Sequence, residues 1–316
     1  MRGSTVIIQK ELAENFTSKR FITTYILIFL SSVATAFLGF QELAQVGLTK
    51  FESDVIFLVL FSGAASPTPS FIFFLSVLAS ILGIALGFDA VNREIASGSM
   101  VRLLSNPIYR DSILVGKIIG GFITIALVIG SIMGITTGVD ILLAGFGPTL
   151  DGALRIFYFT LATILYAWIW FSMALFFSTV FNRIATSALT SLAAWIFLSF
   201  FTGMLASVMA QILIPVTIFS PPEALIAREE LRLALSRISP SVLFTEVASA
   251  LLNPQIRTLG PIYIYSRNLP TPTPLTIDDT LFIIWPHIAA FIAEITIFLT
   301  LAYILFMRKE IRTRFE

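Results

Sequence analysis

Long uninterrupted stretches of apolar residues constrain this chain more than any other feature of its sequence. A helix that crosses a bilayer needs about 20 mostly apolar residues, because the hydrocarbon core is roughly 30 Å thick and a helix rises about 1.5 Å per residue. The apolar run 54–66 is too short, so we expect it to lie at the outer surface or to re-enter the membrane, with a seventh span as the alternative. An all-α polytopic membrane protein is therefore predicted, with six transmembrane helices at 21–41, 67–88, 108–138, 156–180, 184–213 and 281–307.

Composition supports this interpretation and excludes other classes of protein. Only 12% of the residues are charged and mean hydropathy is +0.92, whereas soluble domains carry about 25% charged residues. The net charge of +1 gives no field that would attract nucleic acid, so the lipid bilayer is the expected partner and nucleic acid is not. Because the chain has no cysteine and one histidine, neither a thiolate nor a multi-histidine metal site is expected.

The distribution of Lys and Arg predicts the orientation, because cytoplasmic loops of membrane proteins are enriched in both residue types. Four basic residues precede the first span, four lie within 88–117, one is Arg183, and four follow the last span. The two short loops on the other side hold only Lys50 and Arg155. We therefore expect both termini to lie in the cytoplasm.

The whole chain, 1–316, is predicted to form a single transmembrane domain. Its parts in order are an interfacial helix at 1–20, five spans within 21–213 with a cytoplasmic loop at 88–112, an extracellular segment at 214–280, the sixth span at 281–307 and a cytoplasmic tail at 308–316. One side of the interfacial helix can be apolar, formed by Val6, Ile7, Leu12 and Phe16. The charged residues Lys10, Glu11 and Glu14 lie elsewhere on the helix. An ordinary flank of the first span is the alternative.

The loop after the second span is predicted to form an elbow of helix, short helix and helix below the membrane. Gly98 suits the left-handed conformation that ends a helix, and Ser99 can cap a short helix at 100–105. Asn106 can cap the next helix with Pro107 at its first position, where a missing N–H costs nothing. The exposed side chains of this elbow would suit docking to another protein: Arg93, Glu94, Arg102 and Arg110. A solvated charged loop without a partner is the alternative.

Two features inside the predicted spans are candidates for a specific role. Gly130, Gly134 and Gly138 recur at every fourth residue, a spacing that lets helix backbones approach closely, either within the subunit or against a second subunit. Glu294 lies about 20 Å along the last span, where a charge is costly and must face protein or water. It is predicted to be a structural glutamate, neutral or hydrogen-bonded, with a place on a transport path as the alternative.

The sequence shows no set of catalytic, cofactor-binding or metal-ligating residues. Gly116-Lys117 invites comparison with a phosphate-binding loop, but Asp111 stands where that loop requires Gly, and Ile118 stands where it requires Ser or Thr. We therefore expect that the chain itself is not an enzyme and binds no cofactor.

The six predicted spans and the loop after the second span resemble the permease, or membrane-spanning subunit, of ABC-2 type ATP-binding cassette transporters. The strongest part is the stretch 88–117, which fits the family pattern E-x3-G-[ST], LLS-x-P-x2-R and GK at Glu94, Gly98, Ser99, Leu103, Leu104, Ser105, Pro107, Arg110, Gly116 and Lys117. Lys10-Glu11-Leu12 resembles the family's opening amphipathic helix, and Ser239-Pro240 resembles its segment before the last span. The resemblance covers nearly the whole chain.

The resemblance implies an assembly of two permeases and a pair of ABC ATPase subunits in the plasma membrane of a prokaryote. The second permease would be another copy or a homologue, and ATP and Mg²⁺ would bind the ATPase partner. The short helix near 90–105 would be a coupling helix in a groove of the ATPase, whose ATP-driven closure would push it and open an export path. Gly98 and Ser99 would shape its bend, Glu94 and Arg102 would meet the ATPase, and Pro107 would restart the helix.

Two other functions stay open on the sequence alone. One is an ATP-independent, ion-coupled transporter or channel with Glu294 as the coupling acid. The other is a membrane anchor that recruits a soluble partner without transport. Nothing in the sequence identifies a substrate.

Overall fold

The computed structural model of the chain describes residues 2–46, 71–105, 109–217, 220–254 and 275–309, together with residues 58, 256 and 259. The regular structure of these residues contains no β-strand, so the predicted all-α fold is confirmed. The helices are α1 (Arg2–Thr17), α2 (Lys19–Val46), α3 (Phe71–Gly87), α4 (Asn92–Ala96), α5 (Ser99–Leu104), α6 (Arg110–Ala144), α7 (Leu150–Val180), α8 (Ile184–Leu213), α9 (Pro222–Ser236), α10 (Pro240–Leu252) and α11 (Ile277–Arg308). A π-helical segment, Phe197–Phe201, lies inside α8.

Six helical segments of this part of the chain are long and apolar enough to cross a bilayer: α2, α3 continued through α4, α6, α7, α8 and α11. Each overlaps one of the spans predicted from the sequence, so their predicted number and order are confirmed. The predicted ends differ by several residues, as in α6, which continues to Ala144, where Gly145 adopts a left-handed φ of +79° and ends the helix. The predicted outer or re-entrant run 54–66 lies outside the described residues except for Leu58.

Helix α7 forms the centre of the bundle, with α3, α6, α10 and α11 packed around it. Its largest aromatic side chains are buried, and Tyr166 stacks on Phe244 of α10 with 4.4 Å between ring centroids. The short helix α10 also buries most of its apolar side chains. It therefore belongs to the core of the bundle although it is too short to cross a membrane.

Helices α3 and α7 come into direct contact at two glycines of α3. A Cβ atom at Gly83 would lie 2.2 Å from the carbonyl oxygen of Ala167, and one at Gly87 would lie 2.6 Å from that of Phe171. Lipid tails are as apolar as the helices, so helices in membranes associate through close packing of this kind. Only glycine lets α3 lie this close to α7.

The predicted glycine contact of α6 is not formed within the described part of the chain. A Cβ atom at Gly130, Gly134 or Gly138 would meet none of these residues' atoms within 4 Å, and Gly134 is exposed. The described residues therefore leave space beside the three glycines. Packing within the subunit and contact with a second subunit both stay predictions.

Arg155, near the start of α7, ties three helices together. Its side chain is fully buried, and its N–H groups donate to a carboxylate, two carbonyl oxygens and a hydroxyl. A guanidinium has five N–H donors in a fixed geometry, which suits such a junction. The junction links α7 to the end of α10 and the start of α11 through Asp151 at 2.6 Å, Leu251 at 3.2 Å, Leu275 at 2.6 Å and Thr280 at 3.3 Å.

Replacing Gly83 with Ala tests the contact between α3 and α7. We expect Gly83→Ala to lower the free energy of unfolding by about 1–3 kcal/mol, the usual cost of overpacking, because the new methyl group must push α3 away from Ala167. The matched control is Gly147→Ala, which should change the free energy of unfolding by less than about 0.5 kcal/mol because a Cβ atom there would meet no described atom within 4 Å. Unfolding of the detergent-purified variants measures both, and equal losses would contradict the assigned contact.

Candidate functional site

The segment between α3 and α6 forms the predicted elbow, which we define as residues 88–105. Helix α3 ends at Gly87, a turn at 88–91 leads into α4, and Gly98 separates α4 from α5 with a φ of +70°. Residues with a side chain rarely adopt this conformation, so the glycine sets the angle between the two short helices. The predicted left-handed stop at Gly98 is confirmed.

Two predicted helix starts near the elbow differ from the structure. Helix α5 includes Ser99 itself, whose hydroxyl donates to the carbonyl oxygen of Glu94 at 3.3 Å and so binds the preceding helix. Helix α6 begins at Arg110 because Tyr109 is extended, with φ −66° and ψ 145°. The start therefore lies after Pro107, which is outside the described residues, and not at it.

Two serines of neighbouring helices bind the backbone groups that the turn at 88–91 leaves without helical partners. The hydroxyl of Ser178 in α7 accepts from the N–H groups of Val91 and Asn92 at 3.0 and 3.2 Å. The hydroxyl of Ser187 in α8 donates to the carbonyl oxygen of Phe88 at 2.7 Å. Since buried backbone groups need partners, these bonds attach the elbow to the end of α7 and the start of α8.

Behind the elbow lies a group of buried ion pairs centred on Glu94. This carboxylate lies 3.0 Å from the ammonium of Lys117 in α6 and accepts a hydrogen bond from Lys10 in α1. Lys117 also donates to Glu11 of α1 at 2.7 Å. Glu94, Lys117 and Glu11 are 4%, 3% and 6% exposed, so each charge depends on its partners. We call these four residues the inner network.

A more exposed set of ion pairs surrounds the inner network. Arg93 of α4 donates to Glu14 of α1 at 3.1 Å, and Arg20 of α2 donates to Asp89 of the turn at 2.7 Å. Together with the inner network these residues comprise four basic and four acidic side chains, so their formal charges cancel. The whole set joins α1, α2 and α6 to the elbow.

Lys10 is charged throughout the physiological pH range. Burial lowers its pKa, but the hydrogen bond to Glu94 and the charges of Glu94, Glu11 and Glu14 outweigh burial and raise the pKa above its ordinary value. A raised pKa stabilises the folded state below the unfolded pKa of about 10.4, and this stabilisation is lost as pH rises through the folded pKa. The contact of Lys10 with the elbow is therefore insensitive to pH near neutrality.

A second connection joins the start of α6 to the ends of α7 and α11. Arg110 donates to the carbonyl oxygen of Lys309 and lies over the ring of Phe306, 5.4 Å from its centroid. The ammonium of Lys309 donates to the carbonyl oxygens of Thr179 and Phe181 at 2.8 and 3.4 Å, at the negative end of α7. Burial lowers the pKa of Lys309. We call this group the terminal clamp.

The predicted exposure of Glu94 is wrong. Lys10 and Lys117 enclose its carboxylate, and only 4% of the residue is exposed. The sequence places Glu94 in a polar loop, while Lys10 stands 84 positions away, so the loop alone does not reveal the burial.

The other predicted coupling residues differ in their surroundings. Arg93 is partly exposed and pairs with Glu14, whereas Arg110 is held by the terminal clamp. Leu103 is partly buried against the core, beside the fully buried Met100. The side chains of Arg102 and Leu104 and all of Pro107 lie outside the described residues, and the coupling role of each residue stays a prediction.

Sequence reasoning missed that a charged side of α1 is the one that packs inward. Ile7 and Glu11 are buried, whereas Val6 is 60% and Phe16 43% exposed. A Cβ atom at Gly120 of α6 would lie 2.9 Å from the Cβ of Glu11, so this glycine lets α1 approach. The signal in the sequence is Lys117, a charge inside an apolar run that requires acidic partners.

Glu294 lies apart from these charges, in α11. It is half-buried, and its Oε2 atom is buried with no hydrogen-bond partner among the described residues. A structural glutamate was expected to be neutral or hydrogen-bonded, and the described residues give this atom no hydrogen bond. The choice between a structural role and a place on a transport path stays open.

Comparison with known proteins agrees with the features of the chain. The family model described as ABC-2 family transporter protein matches residues 5–311. Over 121 residues the chain is 27% identical to the probable ABC transporter permease protein NosY of Pseudomonas aeruginosa. This match covers 38% of this chain and 39% of that protein. Over 123 residues it is 24% identical to the probable ABC transporter permease protein NosY of Stutzerimonas stutzeri, which covers 39% and 40%.

The matches to the two curated relatives span about two fifths of their length, so these relatives support the family and carry no statement about the whole protein's activity. The family match, in contrast, includes α1, all six spans and the elbow. The chain therefore belongs to the ABC-2 family of transporter proteins.

Proposed function

We propose that this ABC transporter permease subunit forms a translocation path with a second permease, couples that path to a separate ATPase, and exports its substrate. The observation that carries the proposal is the elbow: the inner network holds Glu94 ahead of the short helix α5, and the terminal clamp holds Arg110 at the start of the helix that follows it. Met100 anchors α5 in the core, while the neighbouring Ser97 is exposed. A helix supported in this way can receive a force from a partner.

The contacts of the elbow indicate how such a force would travel. The inner network joins its first part to α1 and α6, and the terminal clamp joins the start of α6 to α7 and α11. A push on α5 would therefore displace several helix ends together and would not simply bend a loose loop. In this proposal Glu94 positions the elbow from behind, and Arg102, which lies in α5, supplies the contact with the ATPase.

The outward sides of α6 and α8 support a second permease as partner. Gly130, Gly134 and Gly138 leave a helix surface that another backbone can approach, which contact with lipid would not require. Helix α8 carries large exposed apolar side chains along its length, among them Leu189, Phe197, Met204, Val208 and Ile212. Either a second copy of the chain or a homologue would satisfy both surfaces.

The bacterial relatives support a location in a prokaryotic plasma membrane, and the distribution of basic residues supports both termini and the elbow in the cytoplasm. Helices α9 and α10 then lie towards the outer side. Under this arrangement ATP is available to the partner on the membrane side where the elbow lies and where Ser97 is exposed.

Charge reversal at Arg102 tests the contact with the ATPase. We expect Arg102→Glu to weaken association with the ATPase about tenfold or more, because reversing an interfacial charge places like charges together. The unfolding temperature of the permease should not change. Arg183→Glu, at an exposed position of the same predicted membrane side, is the matched control and should leave association unchanged. Normal assembly and normal hydrolysis with Arg102→Glu would remove α5 from the coupling path.

Glu94→Gln separates positioning from contact. Removing one partner of a buried ion pair costs about 3–5 kcal/mol, so we expect a lower unfolding temperature together with ATP hydrolysis that no longer responds to the permease. Differential scanning fluorimetry and ATPase assays on the assembled complex measure the two effects. A variant as stable as the parent chain would show that the inner network does not hold the elbow.

Single cysteines in this cysteine-free chain test the orientation. We expect cysteines at Ser97 and Arg183 to be protected from an impermeant thiol reagent in intact cells, and a cysteine at Glu223 to react. All three positions are exposed in the structure, so burial does not explain a difference between them. Reaction of all three after membrane permeabilisation is the control. Labelling of Ser97 and Arg183 in intact cells would overturn the orientation.

Glu294 separates the ATP-driven function from an ion-coupled one. We expect Glu294→Gln, which keeps shape and hydrogen-bonding groups, to leave stability and ATP hydrolysis by the complex near those of the parent chain, and Glu294→Leu to reduce stability. Liposomes containing the purified chain alone should show no proton uptake under an imposed pH gradient. Uptake that Glu294→Gln abolishes would instead favour the ion-coupled transporter.

A further inference from the structure

A cavity of about 310 Å³ lies between α3, α8 and α10. Ligand sites in proteins typically have volumes of about 300–1,000 Å³, mostly apolar walls and a few convergent polar groups. The apolar part of the wall comes from Phe73, Val77, Trp195 and Phe200. Phe73 and Phe200 are each 50% exposed, so the cavity opens on the lateral surface of the bundle.

A chain of hydrogen-bonded hydroxyls ends at the cavity wall with Ser241 and Ser199, and the wall's other polar side chains are Ser76, Thr245 and Glu246. Ser80 lies 2.7 Å from Tyr166, Tyr166 lies 2.9 Å from Ser241, and Ser241 lies 2.7 Å from Ser199, measured between hydroxyl oxygens. A hydroxyl has one donor and two acceptor sites, and Ser80 donates its proton to the backbone carbonyl oxygen of Ser76 at 2.7 Å, so the donors of this chain run from Ser199 towards Ser80. Ser199, at its end and on the cavity wall, therefore keeps acceptor sites for the O–H group of a ligand.

The π-helical segment of α8 shapes this part of the cavity. Such segments interrupt the regular helical hydrogen bonding and are frequent at functional sites. Here the segment contains Ser199 and Phe200, which both line the cavity although they are adjacent in sequence. Phe200 also meets the ring of Trp195 edge to face, with 5.8 Å between centroids. A hydroxyl and an aromatic wall are thus brought to the same site.

The charged groups at the cavity neutralise one another. Arg237 donates to both oxygens of Glu246 at 2.9 and 3.3 Å, and His287 contacts one of them. Burial raises the pKa of Glu246, but hydrogen bonds and charge from His287 and Arg237 outweigh burial and hold this pKa below its ordinary value. The carboxylate is therefore ionised and paired, and the described residues of the wall offer hydroxyls without an unpaired charge.

We propose that this cavity binds an uncharged amphiphile, whose alkyl chain enters between Phe73 and Phe200 and whose hydroxyl head bonds Ser199 and Ser241. A charged head would have to displace Arg237 or His287 from Glu246 or lie unpaired, and both are costly. The proposal rests on the cavity and on the membrane location of α3 and α8. It does not depend on the ATPase, a second permease or the direction of transport.

Photolabelling of the purified chain in phosphatidylcholine nanodiscs, without an ATPase, tests the site. The probe is a ten-carbon alcohol with a diazirine in its chain, compared with the carboxylate and trimethylammonium analogues of the same length. We expect saturable labelling by the alcohol, mapped by mass spectrometry to peptides of α3, α8 and α10. Unlabelled decanol should compete, and the two charged analogues should label these peptides at least tenfold less.

Two variants and a control locate the binding. Val77→Trp fills the cavity and should abolish saturable labelling, whereas Ile297→Trp adds the same side chain at an exposed position of α11 outside the cavity and should not. Ser199→Ala should weaken apparent affinity about fivefold, as expected for one lost hydrogen bond, and it keeps the measurement available if Val77→Trp does not fold. Non-saturable labelling, labelling that persists in a folded Val77→Trp variant, unchanged affinity in Ser199→Ala, or preference for a charged analogue would overturn the proposal.

Discussion

Burial of charge at the elbow organises one end of the molecule. The ammonium of Lys117 is almost completely removed from solvent, and among the described residues its charge is offset by Glu94 and Glu11. These two carboxylates come from different segments, and Lys10 supplies a further positive charge to Glu94. Since a buried charge without partners costs several kcal/mol, none of the three segments can occupy its place without the other two. Docking of α1 is therefore a condition for the shape of the elbow and not an accessory to it.

Close packing at the centre gives this charged end a firm support. Gly83 and Gly87 bring α3 into direct contact with α7, and the elbow begins immediately after that contact. At the end of α7, Ser178 binds the turn of the elbow, and the adjacent Thr179 accepts from Lys309 of the terminal clamp. The turn of the elbow and the terminal clamp are thus both attached to the last turn of one buried helix. A displacement of α5 would be resisted by α7 and passed to the helices that surround it.

The sequence predicted the parts of this structure that follow from local rules. The length of apolar runs gave six spans, because a crossing helix must satisfy its backbone internally. The left-handed stop at Gly98 followed from the conformational freedom of glycine. The sequence did not predict the partners of Glu94 or which glycines pack closely. Both depend on which side of one helix faces a neighbouring helix. Gly83 and Gly87 have the same four-residue spacing as Gly130 and Gly134, yet within the described part of the chain the first pair meets a neighbouring backbone and the second does not.

The cavity and the elbow share two helices, which has a consequence for any ligand. Helix α3 places Val77 in the cavity wall and leads directly into the elbow. Helix α8 places Ser199 in the cavity wall and binds the elbow through Ser187. The two serines are separated by 12 residues, about 18 Å along a helix. Because the π segment begins between them, a change in its hydrogen bonding would alter the spacing between cavity and elbow. A ligand that holds α3 and α8 apart would therefore act on helices to which the proposed function assigns the transmission of a push from α5.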